Sequence, residues 1–199
     1  MKKLNALFLA GATALAMQAC HSSNKSSTDV AQDSNSTKDT SGMMADTTAA
    51  AGAVSKVDKV DADFAVAAAN GGMAEVQMGQ LAQQKATSAD VKSFGAQMVT
   101  DHSKANDKLM ALAKQKSITL PAAVGNDEQK KMDDMSKTTG KDFDKGYVKE
   151  MVTDHDKDIK LFEDEAKNGK DAEIKAFAAS TLPVLKMHQT MIKAIDKKM

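Results

Sequence analysis

The chain has 199 residues, enough for one domain of ordinary size with tails, and its 27 basic residues balance its 27 acidic ones. Every basic residue is lysine, so the guanidinium fork that reads phosphates and base edges is missing, and without a basic excess the composition argues against nucleic acid as a partner. Aromatics are scarce, Ala, Met and Lys are plentiful and there are only two prolines, a mixture that makes the class all-α.

Residues 1–19 have the plan of an export signal. Lys2 and Lys3 precede an apolar run that includes Leu7, Phe8, Leu9 and Leu15. The run is shorter than the about 20 apolar residues needed to span a bilayer. It ends in Leu-Ala-Met-Gln-Ala-Cys, residues 15–20, with small Ala19 before the chain's only cysteine. This resembles a bacterial lipoprotein signal, in which the cysteine, here Cys20, is lipidated and becomes the first mature residue. A lone cysteine cannot close an internal disulfide, so anchoring is the economical reading. The expectation is an exported cell-envelope protein, an outer-membrane lipoprotein facing the periplasm, whose only membrane contact is its lipid.

Residues 20–57 shift to Ser, Thr, Asn, Asp and Ala without helical or strand periodicity, and read as a flexible, disordered tether. As a random coil of about 37 residues it would hold the folded part roughly 30–35 Å from the membrane surface.

Residues 58–199 form the folded domain, with four long stretches apolar at helical spacing. The first carries Phe64, Ala68, Glu75, Met78 and Ala82 after Val57 and Val60. The second carries Val91, Phe94, Met98, His102, Leu109 and Leu112, and the third Phe143, Tyr147, Met151, His155, Ile159 and Phe162. The fourth carries Ile174, Phe177, Thr181, Leu185, His188, Ile192 and Ile195. Thr87 and Ser88 suit the start of the second helix, and Asn168 with Gly169 the end of the third. Pro121 and Gly125 mark a longer connection that holds a short extra helix over residues 127–136. Pro183 predicts a kink in the fourth helix, with the Ser180 and Thr181 hydroxyls helping to satisfy the freed carbonyls. Short turns within two hairpins and one longer link between them predict an antiparallel four-helix bundle.

Two repeats support the pairing. Met-Val-Thr-Asp-His occurs at residues 98–102 and again at 151–155, and residues 85–94 resemble residues 168–177. At a period of about 80 residues, Glu75 aligns with His155, and His102 falls about one turn before His188.

Each predicted helix thus places one ionisable residue on its buried stripe: Glu75, His102, His155 and His188. At about 1.5 Å rise per residue the members of each hairpin are level to within roughly 5 Å, so the four side chains meet at mid-bundle. Three imidazoles and a carboxylate suit Cu, Fe or Zn. Met98 and Met151 precede a histidine by one turn, and Asp101 and Asp154 lie on the flank beside theirs, as candidates to support the ligands from outside. The same four groups also suit a buried polar network that sets helix register without any metal. No phosphate loop, nucleophile elbow or Cys–His pair suggests catalysis.

Several stretches carry a family resemblance: Asp63-Phe64, Ala-Ala-Asn-Gly-Gly-Met-Ala-Glu75, Gly79-Gln-Leu-Ala, the two Met-Val-Thr-Asp-His copies and Leu182-Pro-Val-Leu-Lys-Met-His188. Over about residues 61–195 the chain resembles the bacterial domain of unknown function 4142, whose members are often labelled predicted outer-membrane proteins. The resemblance implies a ferritin-like fold and an envelope location, and no established activity. Di-iron bundles use Glu-x-x-His on two helices, whereas Val99, Val152 and Leu185 stand three residues before the histidines here. Di-iron chemistry is therefore not expected. The leading expectation is a non-catalytic structural or interaction module with a Glu/His core network, and the alternative is a periplasmic metal-binding protein using the same residues.

Overall fold

The computed structural model describes residues 25–40 and 57–199. The signal at 1–19 and Cys20 lie outside the described residues. Among these, the structure is all-α, with no strand: α1 (Ser27–Thr40), α2 (Lys59–Lys85), α3 (Ala89–Lys116), α4 (Asn126–Ser136), α5 (Gly140–Asn168) and α6 (Ala172–Asp196). No helix among the described residues is long and apolar enough to cross a membrane.

The helix starts follow from side chains that satisfy otherwise free amides. Asp58 accepts from Val60 N–H, Ser88 from Val91 N–H, and Asp171 from both Glu173 and Ile174 N–H. Gly169 ends α5 because the turn leaves no room for a side chain, since a Cβ there would lie 2.7 Å from the Glu165 carbonyl oxygen. The short helix expected over 127–136 is α4.

The α2–α3 and α5–α6 hairpins lie side by side, with α2 against α5 and α3 against α6. Two buried aspartates lock this arrangement. Asp61 of α2 accepts from Lys170 N–H at 2.8 Å and Asp171 N–H at 2.6 Å in the α5–α6 turn. Asp144 of α5 accepts from Thr87 N–H at 3.0 Å and Ser88 N–H at 2.9 Å in the α2–α3 turn. Each carboxylate of one hairpin thus caps the turn of the other. Asp61 and Asp144 are 83 residues apart, as are the caps Ser88 and Asp171 and the buried rings Phe94 and Phe177. The register of the repeat is therefore 83, and it sets Glu75 against Asp158 rather than against His155.

The apolar interior has two halves. One gathers Met78, Phe94, Met98, Phe143, Tyr147, Met151 and Ile192. The other gathers Phe64, Leu109, Phe162, Ile174, Phe177 and Leu185. Where α2 crosses α3, Gly79 and Gly95 face each other. A Cβ on Gly79 would come within 2.6 Å of the Gly95 carbonyl oxygen, and one on Gly95 within 2.8 Å of that of Gly79.

Three expectations need correction. Residues 27–40, read as disordered tether, form α1, which lies against α2. Its sequence has no apolar stripe, and its anchorage is tertiary: Ala31 is buried, and Asn35 exchanges two hydrogen bonds with the Thr119 backbone at 2.7 and 3.0 Å. Periodicity within the segment could not reveal that. The Ser180 and Thr181 hydroxyls both donate to the Phe177 carbonyl, not to that of Ala179, which Pro183 leaves without its N–H partner. Val60, placed on the core stripe, is 56 % exposed, because α2 has only just begun there and nothing covers its first turn.

Candidate metal centre

Glu75, His102, His155 and His188 are all buried, one from each long helix. Each histidine follows its apolar stripe inward: Phe94, Met98 and His102 on α3, Tyr147, Met151 and His155 on α5, Leu185, His188 and Ile192 on α6. The three imidazoles gather edge-on or tilted to one another, with ring centroids 5.2 to 5.8 Å apart. One ring nitrogen from each lies within 4.8 Å of the others. Phe94 closes one side, its ring 6.2 Å from that of His155 and 6.1 Å from that of His188.

The hydrogen bonds divide each ring into two ends. His102 Nδ1 lies 2.8 Å from Glu75 Oε2, His155 Nδ1 lies 3.0 Å from the Met151 carbonyl oxygen, and His188 Nε2 lies 2.9 Å from Asp101 Oδ2. A carbonyl or an ionised carboxylate can only accept, so His155 Nδ1 and His188 Nε2 carry their protons, and His102 Nδ1 does so once Glu75 is ionised. The other nitrogens, His102 Nε2, His155 Nε2 and His188 Nδ1, are buried without a partner. With Glu75 ionised, three bare lone pairs remain, with no donor among them.

Burial lowers the histidines, His102 to about 4 and His155 to about 3, where the neighbouring rings His102 and His188 add to the effect. His188 is lowered by burial against the opposing pull of Asp101. All three rings are therefore neutral near pH 7, the state a metal needs. Burial pushes the Asp101 carboxyl up, but hydrogen bonds from Gln97 and His188 outweigh it and hold the group ionised below the usual range.

Glu75 is not a fourth member of the ring cluster. It is the acceptor behind His102, with its Oε1 3.5 Å from His155 Nδ1. Burial, with the charge of Asp154 nearby, raises it to about 8. Its pseudo-symmetric counterpart Asp158 is raised well above the carboxylate range by burial and by Glu75 itself. Sequence reading missed Asp158, which the 83-residue register would have found.

The supporting candidates divide unevenly. Asp101, expected on the flank, reaches across the α3–α6 seam to His188. Asp154 instead faces Lys131, which also bonds Glu128 and Glu150 at 3.1 and 2.8 Å. Met98 and Met151 are fully buried within the apolar half, and it is the carbonyl of Met151 that meets His155. Met187 and Met191 flank His188 but are exposed.

The family described as "Domain of unknown function (DUF4142)" matches residues 44–195. A crystal structure of a DUF305 fragment from Deinococcus radiodurans is similar in fold, with a TM-score of 0.63 at 7 % identity, covering 72 % of this chain and 99 % of that one. No curated protein matches.

Proposed function

The chain belongs to the family of domain of unknown function 4142, and from that premise we propose that it is a transition-metal-binding protein whose ligands are His102, His155 and His188. The four long helices are then a ferritin-like antiparallel four-helix bundle that has exchanged a di-iron centre for a three-histidine site. The observation that carries the reading is the pattern of protons. His155 and His188 each give an N–H to an acceptor outside the cluster, His102 does the same once Glu75 is ionised, and each ring keeps a second nitrogen that is buried and unmatched.

A metal-free polar network would be built differently. In such a network one imidazole N–H donates to the next ring's lone pair, because leaving a buried acceptor unsatisfied costs about 1–3 kcal/mol. Here the rings form no such bond. Outer acceptors that orient a metal-binding histidine and raise its basicity are the usual surroundings of zinc and copper ligands. Three nitrogens from three helices suit a tetrahedral ion with one further ligand. The ionised Asp101 carboxylate, joined by Glu75 when a bound cation displaces its proton, offsets a divalent charge that three neutral rings cannot.

We also propose, from residues 1–20, that the protein is exported and held to the envelope by lipid on Cys20. On that reading the bundle binds its metal outside the cytoplasm.

Metal content tests the reading. The full chain is incubated separately with Zn, Cu and Co, dialysed exhaustively and assayed by mass spectrometry. One metal per chain, lost on His155→Ala, is expected. A chain that retains none of the three ions sinks the proposal.

A further inference from the structure

Two adjacent glycines, Gly71 and Gly72, sit in the middle of α2 one turn before Glu75. Each costs a helix interior about 1 kcal/mol relative to alanine, so their placement calls for a physical reason. The structure supplies one at Gly72, where a Cβ would overlap the Asn106 amide of α3, while a Cβ on Gly71 would only reach ordinary contact with Asp158 Oδ1 of α5 at 3.6 Å. The missing side chain at Gly72 makes room for the amide at the helix surface.

Behind them lies a cavity of about 20 Å³, the size of one water. Its lining runs from partly exposed Asn106, Asp158 and Thr181 to buried Gly72, Glu75 and His102. It joins partly exposed polar groups to a ring of the cluster. The opposite side is closed by Phe94 and the apolar half of the core.

We propose that this passage is the port through which a divalent cation reaches and leaves the three-histidine site. The inference rests on the metal-binding reading above. The cavity is too small for a hydrated ion, so the cation sheds water as it passes, and the oxygens of Asn106, Asp158, Thr181 and Glu75 replace it in turn. Glu75 Oε1, buried and without a hydrogen-bond partner, is the last oxygen before the rings. The amide and hydroxyl act as transient ligands and hold no metal at equilibrium.

The test is kinetic and uses Co²⁺, whose visible bands report tetrahedral nitrogen ligation, on the full chain. Loading is followed by stopped flow and release by mixing with excess chelator, in the wild type and in Asn106→Leu and Thr181→Val, neither of which alters a ligand or its outer acceptor. A port changes the barrier and not the end states. Loading and release should both slow by about tenfold, the effect of roughly 1.4 kcal/mol on a barrier, while the equilibrium affinity stays within about twofold. Wild-type rates in both variants, or a loss of affinity without slowing, overturn the port while the metal site stands. A wild type that takes up no Co²⁺, Zn²⁺ or Cu²⁺ overturns both. Circular dichroism melts of the two variants establish that they are folded before rates are compared.

Discussion

Asp101 Oδ2 on α3 accepts the Nε2 proton of His188 on α6 at 2.9 Å, across the seam between the two hairpins. That single bond leaves the His188 lone pair at Nδ1, which is buried without a partner. Asp101→Asn can present an amide N–H in its place and favour the other tautomer. Metal affinity should fall about 10- to 100-fold, measured by competition with a chromophoric chelator. An unchanged affinity would mean that Asp101 does not orient the ring.

His155→Leu separates the metal site from a structural network. The substitution removes a buried lone pair with no partner and keeps an apolar body of similar size. The metal-free variant should be as stable as the wild type or more stable by about 1 kcal/mol, while metal binding is lost. Denaturant titration in a chelator measures this. A loss of 2 kcal/mol or more, on the order expected for breaking a satisfied network, would favour the network.

The metal-free protein should lose stability as pH rises from about 6.5 to about 8. Glu75 is raised to about 8 and Glu165 to about 7 by burial. Over this interval the folded chain retains protons that ordinary unfolded carboxyls have released, so stability falls with pH. The histidines act in the other direction at lower pH. Their folded values, about 4 for His102 and about 3 for His155, lie below the unfolded value. Their contribution is complete above about pH 6.5 and is lost as pH falls. Thermal melts in a chelator should show the alkaline decline, and Glu75→Gln should flatten it. A melting temperature that climbs through the interval contradicts the assignment.

Two glycines in long helices should respond with opposite sign. Gly95→Ala drives a methyl into the Gly79 carbonyl and the Ala82 side chain, backbone that cannot yield, and should destabilise the fold by about 1–3 kcal/mol. Gly146→Ala on the exposed face of α5 meets nothing within 4 Å and should stabilise it by about 0.5–1 kcal/mol. Urea midpoints of the two variants check the pair.

Asp144→Ala should be among the most damaging substitutions outside the ring cluster. It leaves the Thr87 and Ser88 amides without their acceptor, a loss of about 3 kcal/mol. Hydrogen exchange should show the α2–α3 turn opening first. Asp61→Ala should do the same at the α5–α6 turn, because its carboxylate holds Lys170 and Asp171 in the same manner.

Much of this was legible in the chain itself. Steps of three and four placed Phe94, Met98 and His102, and likewise Tyr147, Met151 and His155, on buried stripes. Capping chemistry located Ser88, and the two Met-Val-Thr-Asp-His copies pointed to paired hairpins. The all-α class and the gathering of His102, His155 and His188 follow from rules that act within about one helical turn. Such rules say which face of a helix turns inward.

They do not say what waits on the neighbouring helix. Asp101 sits about 100° around α3 from His102, and only the stagger of α3 against α6 brings it to His188 instead of to solvent. The same limit hid Asp158 behind Glu75 and the pairing of Glu75 with His102 at 2.8 Å. It also made α1 from a stretch whose own residues carry no helical stripe. The sequence by itself determined four amphipathic helices and the depth at which their histidines meet. Tertiary structure decided which nitrogen of each ring holds its proton, because that depends on acceptors supplied by the rotation and offset of whole helices.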